Sequence, residues 1–164
     1  MSLRPLLILF VSTGNAARSP MAEAFLNAKG SEAYRARSAG VAPLEALAPR
    51  AKSLLEDAGH QTHKLYPKKW QDFYAASHLV KVDIIITLSQ EAHDLLPTDW
   101  PHDPVRAHWL VDDPLACERA DVQEWKFRKC YATLEARVAT LVRCRPSASA
   151  SEWFVRLKEI GMVV

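Results

Sequence analysis

One short loop of this sequence combines residue types that suit the binding of a tetrahedral anion. It runs from Ser12 to Arg18, reads Ser-Thr-Gly-Asn-Ala-Ala-Arg, and is followed by Ser19-Pro20. Because most of these side chains are small, successive backbone N–H groups can turn toward a single point. The planar guanidinium of Arg18 can bind two oxygens of one anion, and a helix beginning near Ser19 would add the positive end of its dipole. The loop predicts a site for phosphate, sulfate or arsenate; the alternative is an ordinary turn whose arginine reaches into solvent.

The sequence on either side of this loop indicates a strand and a helix that would position it. Leu6–Val11 is an uninterrupted apolar run, which is typical of a buried parallel strand. After the loop, we predict a helix with Ser19 as N-cap, Pro20 in the first helical position and Gly30 at its end. Open α/β sheets bind their ligands at such junctions, where a strand passes into a helix.

Strands and helices alternate along the rest of the chain. We predict further strands at 34–38, 82–88 and 105–109, helices at 49–58, 90–96, 120–142 and 152–160, and a loop-rich stretch at 60–74. This alternation predicts an α/β fold with a parallel sheet. A Pro/Ser/Ala run near residue 146 predicts two units, a main domain at 1–145 and a C-terminal extension with a short helix at 146–164. The helix of the extension is expected to pack on its own chain or to bind a partner.

Composition and charge exclude several classes of protein. The 164 residues are 49% hydrophobic and 24% charged, proportions of a soluble globular chain rather than a disordered or collagen-like one. Lys and Arg number 21 and Asp and Glu 19, a net charge of +2 that predicts neither nucleic acid nor a membrane as partner. The longest apolar run is too short to span a bilayer.

The cysteines and histidines predict no metal, cofactor or disulfide framework. The three cysteines, Cys117, Cys130 and Cys144, lack the Cys-x-x-Cys spacing of a zinc or redox site. His60 and His63 have no neighbouring third ligand. We therefore expect a protein of the reducing cytoplasm.

Residues 11–23 resemble the signature of the low-molecular-weight protein tyrosine phosphatases and the related arsenate reductases. That signature is Cys-x5-Arg-Ser, usually followed by Pro-Met-Ala-Glu, and the Thr-Gly-Asn of this chain is closer to the arsenate reductases. Further matches follow in the family's order, at Ser38-Ala-Gly40, Pro49-Arg-Ala51, Asp83–Leu88, His108-Trp109 and Asp112-Asp-Pro114. The resemblance covers roughly residues 5–142. It implies a three-layer fold in which helices flank a four-stranded parallel sheet, and the activity of a phosphoric monoester hydrolase.

The resemblance also implies a role for each residue of the loop. Ser12 occupies the position of the nucleophile, and Ser19 would donate a hydrogen bond to it. Arg18 would bind two oxygens of the phosphate, and Asn15 would adopt a left-handed conformation. Asp113 would act as the general acid, with Asp112 as the other candidate. Backbone amides would hold the anion at Thr13, Gly14, Asn15, Ala16, Ala17 and Arg18.

The chain departs from this family at the nucleophile itself. The family has a cysteine where this chain has Ser12, either as its native residue or as a replacement. Such a loop lowers a cysteine pKa from about 8.5 into the range of roughly 3.5–7.5. An alcohol ionises far higher and needs an adjacent base, and no histidine lies near Ser12 in sequence. We therefore expect a catalytically impaired relative that binds phosphate or arsenate.

Two other readings of the function remain open at this stage. In the first, the chain is an active phosphomonoesterase whose Ser12 is served by a base that lies close only in space, with His60, His63 and His108 as candidates. In the second, it is an interaction protein with a vestigial anion loop. Arsenate reduction is not expected, because Ser89 and Leu96 occupy the positions of the two further cysteines that the redox branch uses.

A basic and aromatic stretch follows the second predicted helix. It contains Lys64, Tyr66, Lys68, Lys69 and Trp70. It could flank an anionic substrate such as a phosphotyrosine protein, or it could be a solvated loop whose aromatic rings pack inward.

Overall fold

The computed structural model describes residues 4–30 and 32–163. Within them, strands and helices alternate, and one 3-10 turn at Pro114–Ala116 precedes the longest helix. The order is β1 (Leu6–Ser12), α1 (Arg18–Lys29), β2 (Tyr34–Gly40), α2 (Pro49–Asp57), α3 (Trp70–Ala75), β3 (Ile84–Thr87), α4 (Gln90–Leu95), β4 (Val105–His108), α5 (Ala120–Leu141) and α6 (Ala150–Gly161).

The four strands form one parallel sheet in the order β2-β1-β3-β4. Alternate residues of β1 enter two separate cores: Ile8 and Phe10 pack with α1, α2, α5 and α6, whereas Leu9 and Val11 pack with α3 and α4. The three-layer α/β prediction is therefore confirmed. Because the strands are parallel, their carboxyl ends share one edge of the sheet, and the loop after β1 lies there.

The start of α1 differs from the prediction. The helix begins at Arg18 with Ala17 as N-cap and without a side-chain cap, so the prediction of Ser19 as N-cap is wrong. The physical reason is that the Ser19 hydroxyl is engaged elsewhere, 2.6 Å from the hydroxyl of Ser12. Gly30 does end the helix, and a Cβ there would lie 2.7 Å from the Leu26 carbonyl oxygen.

Helix α3 overlaps the end of the stretch 60–74, for which the sequence predicts mostly loop. Its six residues carry too short a pattern for prediction, and tertiary packing of aromatic rings stabilises it. Trp70 packs against Tyr74 and Trp100, with ring centroids 5.9 and 6.0 Å apart. Tyr66, by contrast, is 56% exposed, so the aromatic side chains of this stretch do not all pack inward.

The C-terminal helix α6 packs on its own chain against β4. Trp153, Leu157 and Ile160 are buried in the larger core, and Trp109 donates an indole hydrogen bond of 2.8 Å to the Leu157 carbonyl. A Cβ on Gly161 would lie 2.6 Å from the Trp109 ring, so the close approach requires glycine. The division of the chain at residue 145 stays a prediction.

No helix among residues 4–30 and 32–163 is long and apolar enough to cross a membrane.

Candidate functional site

The loop after β1 turns its carbonyl groups outward. The carbonyl oxygens of Ser12, Thr13, Gly14 and Ala16 accept hydrogen bonds of 2.8–3.1 Å from the amides of residues 41, 42, 44 and 48. Within the described part of the chain, no amide of residues 13–17 donates to a protein acceptor. With their carbonyls anchored on the segment 41–48, these amides are available to one ligand on the inner side of the loop.

Asn15 holds the loop in shape through three hydrogen bonds. Its φ of 49° places it in the left-handed region that the resemblance implied. The amide of Lys68 donates to Asn15 Oδ1 at 2.8 Å, which fixes the orientation of the side-chain amide. Asn15 Nδ2 therefore donates to Ser19 Oγ at 2.8 Å and to Ser38 Oγ at 2.9 Å.

This network also includes the hydroxyl of Ser12. Ser19 Oγ accepts from Asn15 and has one hydrogen of its own, with Ser12 Oγ at 2.6 Å and the Ala39 carbonyl at 3.5 Å as acceptors. The 2.6 Å contact is a hydrogen bond in which either hydroxyl can be the donor. Ser12 is buried, and its hydrogen points into the loop in the arrangement in which Ser19 donates.

Arg18 is held with its guanidinium next to a carboxylate. Its Nη1 donates to the carbonyls of Val111 at 3.0 Å and Leu88 at 3.4 Å, and its side chain is only 7% exposed. Its Nη2 lies 3.6 Å from Asp113 Oδ2. The other Asp113 oxygen accepts from the Leu115 amide at 2.9 Å. Asp113 thus lies beside the anion loop, at the edge to which the carboxyl ends of the strands point.

The neighbouring Asp112 has different contacts from Asp113. It is exposed and lines a small cleft with Trp125 and Lys126. Among the described residues, no ion pair links Asp112 to Arg18. Of the two general-acid candidates, the structure brings only Asp113 into contact with the arginine of the loop.

The first turn of α4 contacts the loop through Thr13. Thr13 Oγ1 lies 3.0 Å from Ser89 Oγ and 3.2 Å from Glu91 Oε2, and its single hydrogen serves one of them at a time. Ser89 is the N-cap of α4 and accepts from the Ala92 amide. A Cβ on Gly40 would lie 2.8 Å from the Thr13 carbonyl oxygen, so β2 approaches the loop at a position where only glycine fits.

None of the three histidines considered as a base contacts Ser12. His60 packs edge-on against Phe25 at 5.5 Å, and His63 is exposed. His108 Nδ1 lies 2.8 Å from Thr87 Oγ1, and its ring stacks on His93 at 4.4 Å. Burial, and then the neighbouring His93, lower the pKa of His108.

The three cysteines are free, and Cys130 is close enough to Arg18 and Asp113 to interact with them electrostatically. Burial raises the pKa of Cys130 to about 12, which leaves its thiol protonated at neutral pH. The other two flank α5 and are partly exposed. In the described part of the chain, no cluster of three or more His, Cys, Asp or Glu residues could hold a metal ion.

Helix α1 carries a buried carboxylic acid for which the sequence predicts no role. Glu23 is 5% exposed, and burial raises the pKa of its carboxyl, opposed by nearby Lys68, Ser38 and Arg37. Ser38 and the Lys68 amide were also not predicted as parts of the site. The Ser38-Ala-Gly match could have indicated the first, whereas a main-chain contact between residues 53 positions apart leaves no sequence signal.

Comparison with known proteins gives one consistent family. Residues 7–149 match the family described as low molecular weight phosphotyrosine protein phosphatase. The arsenate reductase of Bacillus licheniformis is 32% identical over 120 residues, which are 73% of this chain and 82% of that protein.

Two solved structures show the same fold. The arsenate reductase of Archaeoglobus fulgidus DSM 4304 is 31% identical with a TM-score of 0.63, over 84% of this chain and 99% of that one. An arsenate reductase in the phosphate binding state has a TM-score of 0.62 at 22% identity, over 82% of this chain and 97% of that one. The sequence match extends from β1 past the end of α5 to residue 149, and by it the chain belongs to the low molecular weight phosphotyrosine protein phosphatase family.

Proposed function

We propose that this protein binds a phosphate or arsenate oxyanion, free or as a phosphoryl group, in the loop from Ser12 to Arg18. The observation that carries the proposal is the orientation of the loop, whose carbonyls are anchored outward while the amides of residues 13–17 have no protein acceptor in the described part of the chain. Arg18 and the first turn of α1 stand at the same point. Amides, helix dipole and guanidinium together favour a tetrahedral anion.

Ser12 takes part in this binding as a donor. A thiolate at the floor of the loop would repel an anion of charge −2, whereas a neutral hydroxyl does not. When Ser19 donates to Ser12, the Ser12 hydrogen is available to an anion in the loop. We therefore expect Ser12 to stabilise the bound oxyanion and not to compete with it for the amides.

The same geometry supports the catalytic impairment. A serine nucleophile needs a base within hydrogen-bond distance, and Ser19, the side-chain partner of Ser12 among the described residues, is itself a hydroxyl. Of the candidate histidines, His60 contacts Phe25, His108 contacts Thr87, and His63 is exposed. An active phosphomonoesterase that uses Ser12 is for this reason the less favoured function.

A redox route lacks its thiols. Ser89 caps α4 through its hydroxyl, and Leu96, which follows α4, is buried in the smaller core. Disulfide exchange requires a thiolate to attack, and the thiol of Cys130 is held protonated by burial. Arsenate would on this view be a ligand of the loop and not a substrate for reduction, although relatives of this chain are arsenate reductases.

The packing of α6 gives little support to the hypothesis that this chain binds a partner protein through its terminal helix. The apolar face of α6 is buried against β4 and α5, and its Trp153, Leu157 and Ile160 are 5% exposed or less. This face of α6 contributes to the core, whereas Phe154 and Val155 of the same helix are 55% and 52% exposed.

Isothermal titration with phosphate and with arsenate tests the proposal. We expect a dissociation constant of about 1 mM or lower, and at least about tenfold weaker binding for Arg18→Ala. Arg18→Lys, which keeps the charge but loses the planar fork, should lie between them. Arg143→Ala, at an exposed arginine after α5, is the matched control. Absence of binding to either anion, or equal binding by Arg18→Ala, would refute it.

Hydrolysis of an aryl phosphate distinguishes a protein that only binds the anion from a phosphomonoesterase. The protein as it stands should give no hydrolysis above the buffer rate. Hydrolysis that disappears in Ser12→Ala would instead establish Ser12 as a nucleophile.

A further inference from the structure

A basic groove of about 840 Å³ runs along the outer edge of β2, outside the anion loop. Its walls come from β2, from α3 and from the segment before α3, and the charged and aromatic residues considered below are Arg35, Arg37, Lys64, Tyr66, Lys68 and Phe73. The groove takes in part of the basic and aromatic stretch that the anion-binding function leaves unexplained.

The backbone at this edge of the sheet is already hydrogen-bonded. Asn27 both accepts from the Ala36 amide and donates to the Ala36 carbonyl, at 2.8 and 3.0 Å. The Gly40 amide donates to the Lys68 carbonyl at 2.7 Å. A chain lying in the groove is therefore recognised by side chains and is not added to the sheet as a fifth strand.

The charges of the groove are unbalanced. Arg37, Lys64 and Lys68 line it with one exposed carboxylate, Asp72, which already lies 3.9 Å from Lys69. The buried carboxyl of Glu23, whose pKa is raised by burial, interacts electrostatically with Lys68 and Arg37. Within the described residues, Arg37, Lys64 and Lys68 form no ion pair shorter than 4.0 Å. Because the net charge of the whole chain is only +2, this concentration of cations is local.

The aromatic rings of the groove are covered by cations. The Arg37 guanidinium carbon lies 5.5 Å from the centre of the Phe73 ring, and Lys68 Nζ lies 4.3 Å from that of Tyr66. Each contact holds a cation over one face of a ring. Because the whole chain carries a net charge of only +2, without the strongly basic surface typical of nucleic-acid binders, we take carboxylates as the ligands of the groove.

Lys68 connects the groove to the loop from Ser12 to Arg18. Lys68, whose side chain lines the groove, donates its amide to Asn15 of the loop at 2.8 Å. We propose that the basic groove binds an acidic, unstructured segment of a phosphoprotein whose phosphoryl group occupies the loop. The phosphoryl part rests on the proposed function of the loop, whereas binding of the acidic segment does not need it.

Three fluorescein-labelled peptides test this by fluorescence anisotropy. One carries phosphotyrosine within a run of Asp and Glu, one carries it within Ser and Gly, and one is acidic with unmodified tyrosine. The groove variant is Arg37→Glu/Lys64→Glu, and the matched control is Arg143→Glu/Lys158→Glu, with the same change of charge at exposed positions away from the groove. Equal melting temperatures establish that the variants fold, and Lys64→Ala serves as a milder groove variant.

We expect the unphosphorylated acidic peptide to bind about tenfold or more weakly to the groove variant than to the control, because reversal turns attraction into repulsion. Its binding should be unchanged by Arg18→Ala. The neutral phosphopeptide should depend on Arg18 alone, and the acidic phosphopeptide should bind about a hundredfold more tightly than either.

Equal loss of the acidic peptide in the groove variant and the control would overturn the proposal, and so would tighter binding of a single-stranded RNA of equal charge. Failure of the neutral phosphopeptide alone would refute the function of the loop and the phosphoprotein part of the proposal, and would leave the acidic docking site.

Discussion

The anion loop and the contact between α6 and β4 are built from opposite kinds of interaction. In the loop, buried polar side chains of Ser12, Asn15 and Ser19 satisfy one another through hydrogen bonds of 2.6–2.8 Å. At α6, Leu157 and Trp109 are completely buried and join through packing and a single indole hydrogen bond. The loop leaves backbone donors unpaired, whereas the helix covers apolar surface.

This difference indicates which region controls ligand binding and which controls folding stability. Unpaired donors held in one orientation favour a ligand and add little to folding, because they were equally well hydrated in the unfolded chain. Buried apolar area contributes to folding and has no ligand to attract. Substitutions in the loop should therefore change binding or chemistry, and substitutions in α6 should change stability.

The largest effect should come from Ser12→Cys. If only the nucleophile is missing, this variant should gain aryl phosphatase activity by several orders of magnitude, since loss of a hydrolase nucleophile costs on the order of a millionfold in turnover. Asp113→Asn in the same background should slow hydrolysis most for esters with poor leaving groups. The Ser12→Cys variant should bind phosphate more weakly at neutral pH than the serine protein does, because a thiolate repels the anion.

Aryl phosphate hydrolysis and the rate of thiol alkylation, with and without phosphate, check the first prediction. Slow alkylation together with no hydrolysis would mean that the loop no longer activates a thiol. Phosphate binding as tight as that of the serine protein would contradict the role of Ser12 as a neutral donor.

The next largest effect should be Leu157→Ala in α6. Loss of a fully buried leucine should lower the free energy of unfolding by about 2–5 kcal/mol. Phosphate affinity of the folded protein should stay within twofold. Val155→Ala in the same helix, at a side chain that is 52% exposed, is the control and should change stability little. Urea unfolding and titration of phosphate measure both; a large loss of affinity at 157 would break the contrast between the two regions.

Gly40→Ala should affect both binding and stability, because Gly40 lies in β2 of the sheet and contacts the loop. Its Cβ would meet the Thr13 carbonyl at 2.8 Å and the Asn15 amide at 3.1 Å. We expect phosphate binding to weaken several-fold and stability to fall by about 1–3 kcal/mol as the backbone shifts. Gly14→Ala lies within the loop but meets only the Leu44 side chain, so it should have the smaller effect on stability. The reverse order would contradict this account of the packing.

The smallest effect should be a pH-dependent one at Glu23. Burial raises the pKa of this carboxyl, so the folded protein holds the proton more tightly than the unfolded chain. The resulting stability is fully present below the ordinary glutamate pKa and is lost as the pH rises through the raised value. Glu23→Gln should melt slightly higher than the parent at pH 7, and the difference should vanish near pH 4. Thermal melts across this pH range measure the difference in melting temperature between the two proteins. A difference that grows as the pH falls would contradict the prediction.

Much of the site could be predicted from the sequence because its signals are local. The apolar run of β1, the small residues of the loop, Arg18 and the following helix are contiguous, and together they predict where a parallel sheet binds its ligand. The left-handed conformation of Asn15 and the place of Asp113 rested on the resemblance to a family. The structure agrees with the first and brings Asp113 beside Arg18.

Tertiary structure alone decided how the hydroxyls and cations are used. Ser19 has the residue type of a helix cap, but the distant Ser38 and Lys68 fix Asn15, and Asn15 in turn directs Ser19 toward Ser12. The sequence showed the charges of the basic stretch but not that β2 would add Arg35 and Arg37 to form one groove. The physical reason is the same in both cases. Hydrogen-bond direction and charge density depend on side chains that come together only when strands far apart in sequence pair in one sheet.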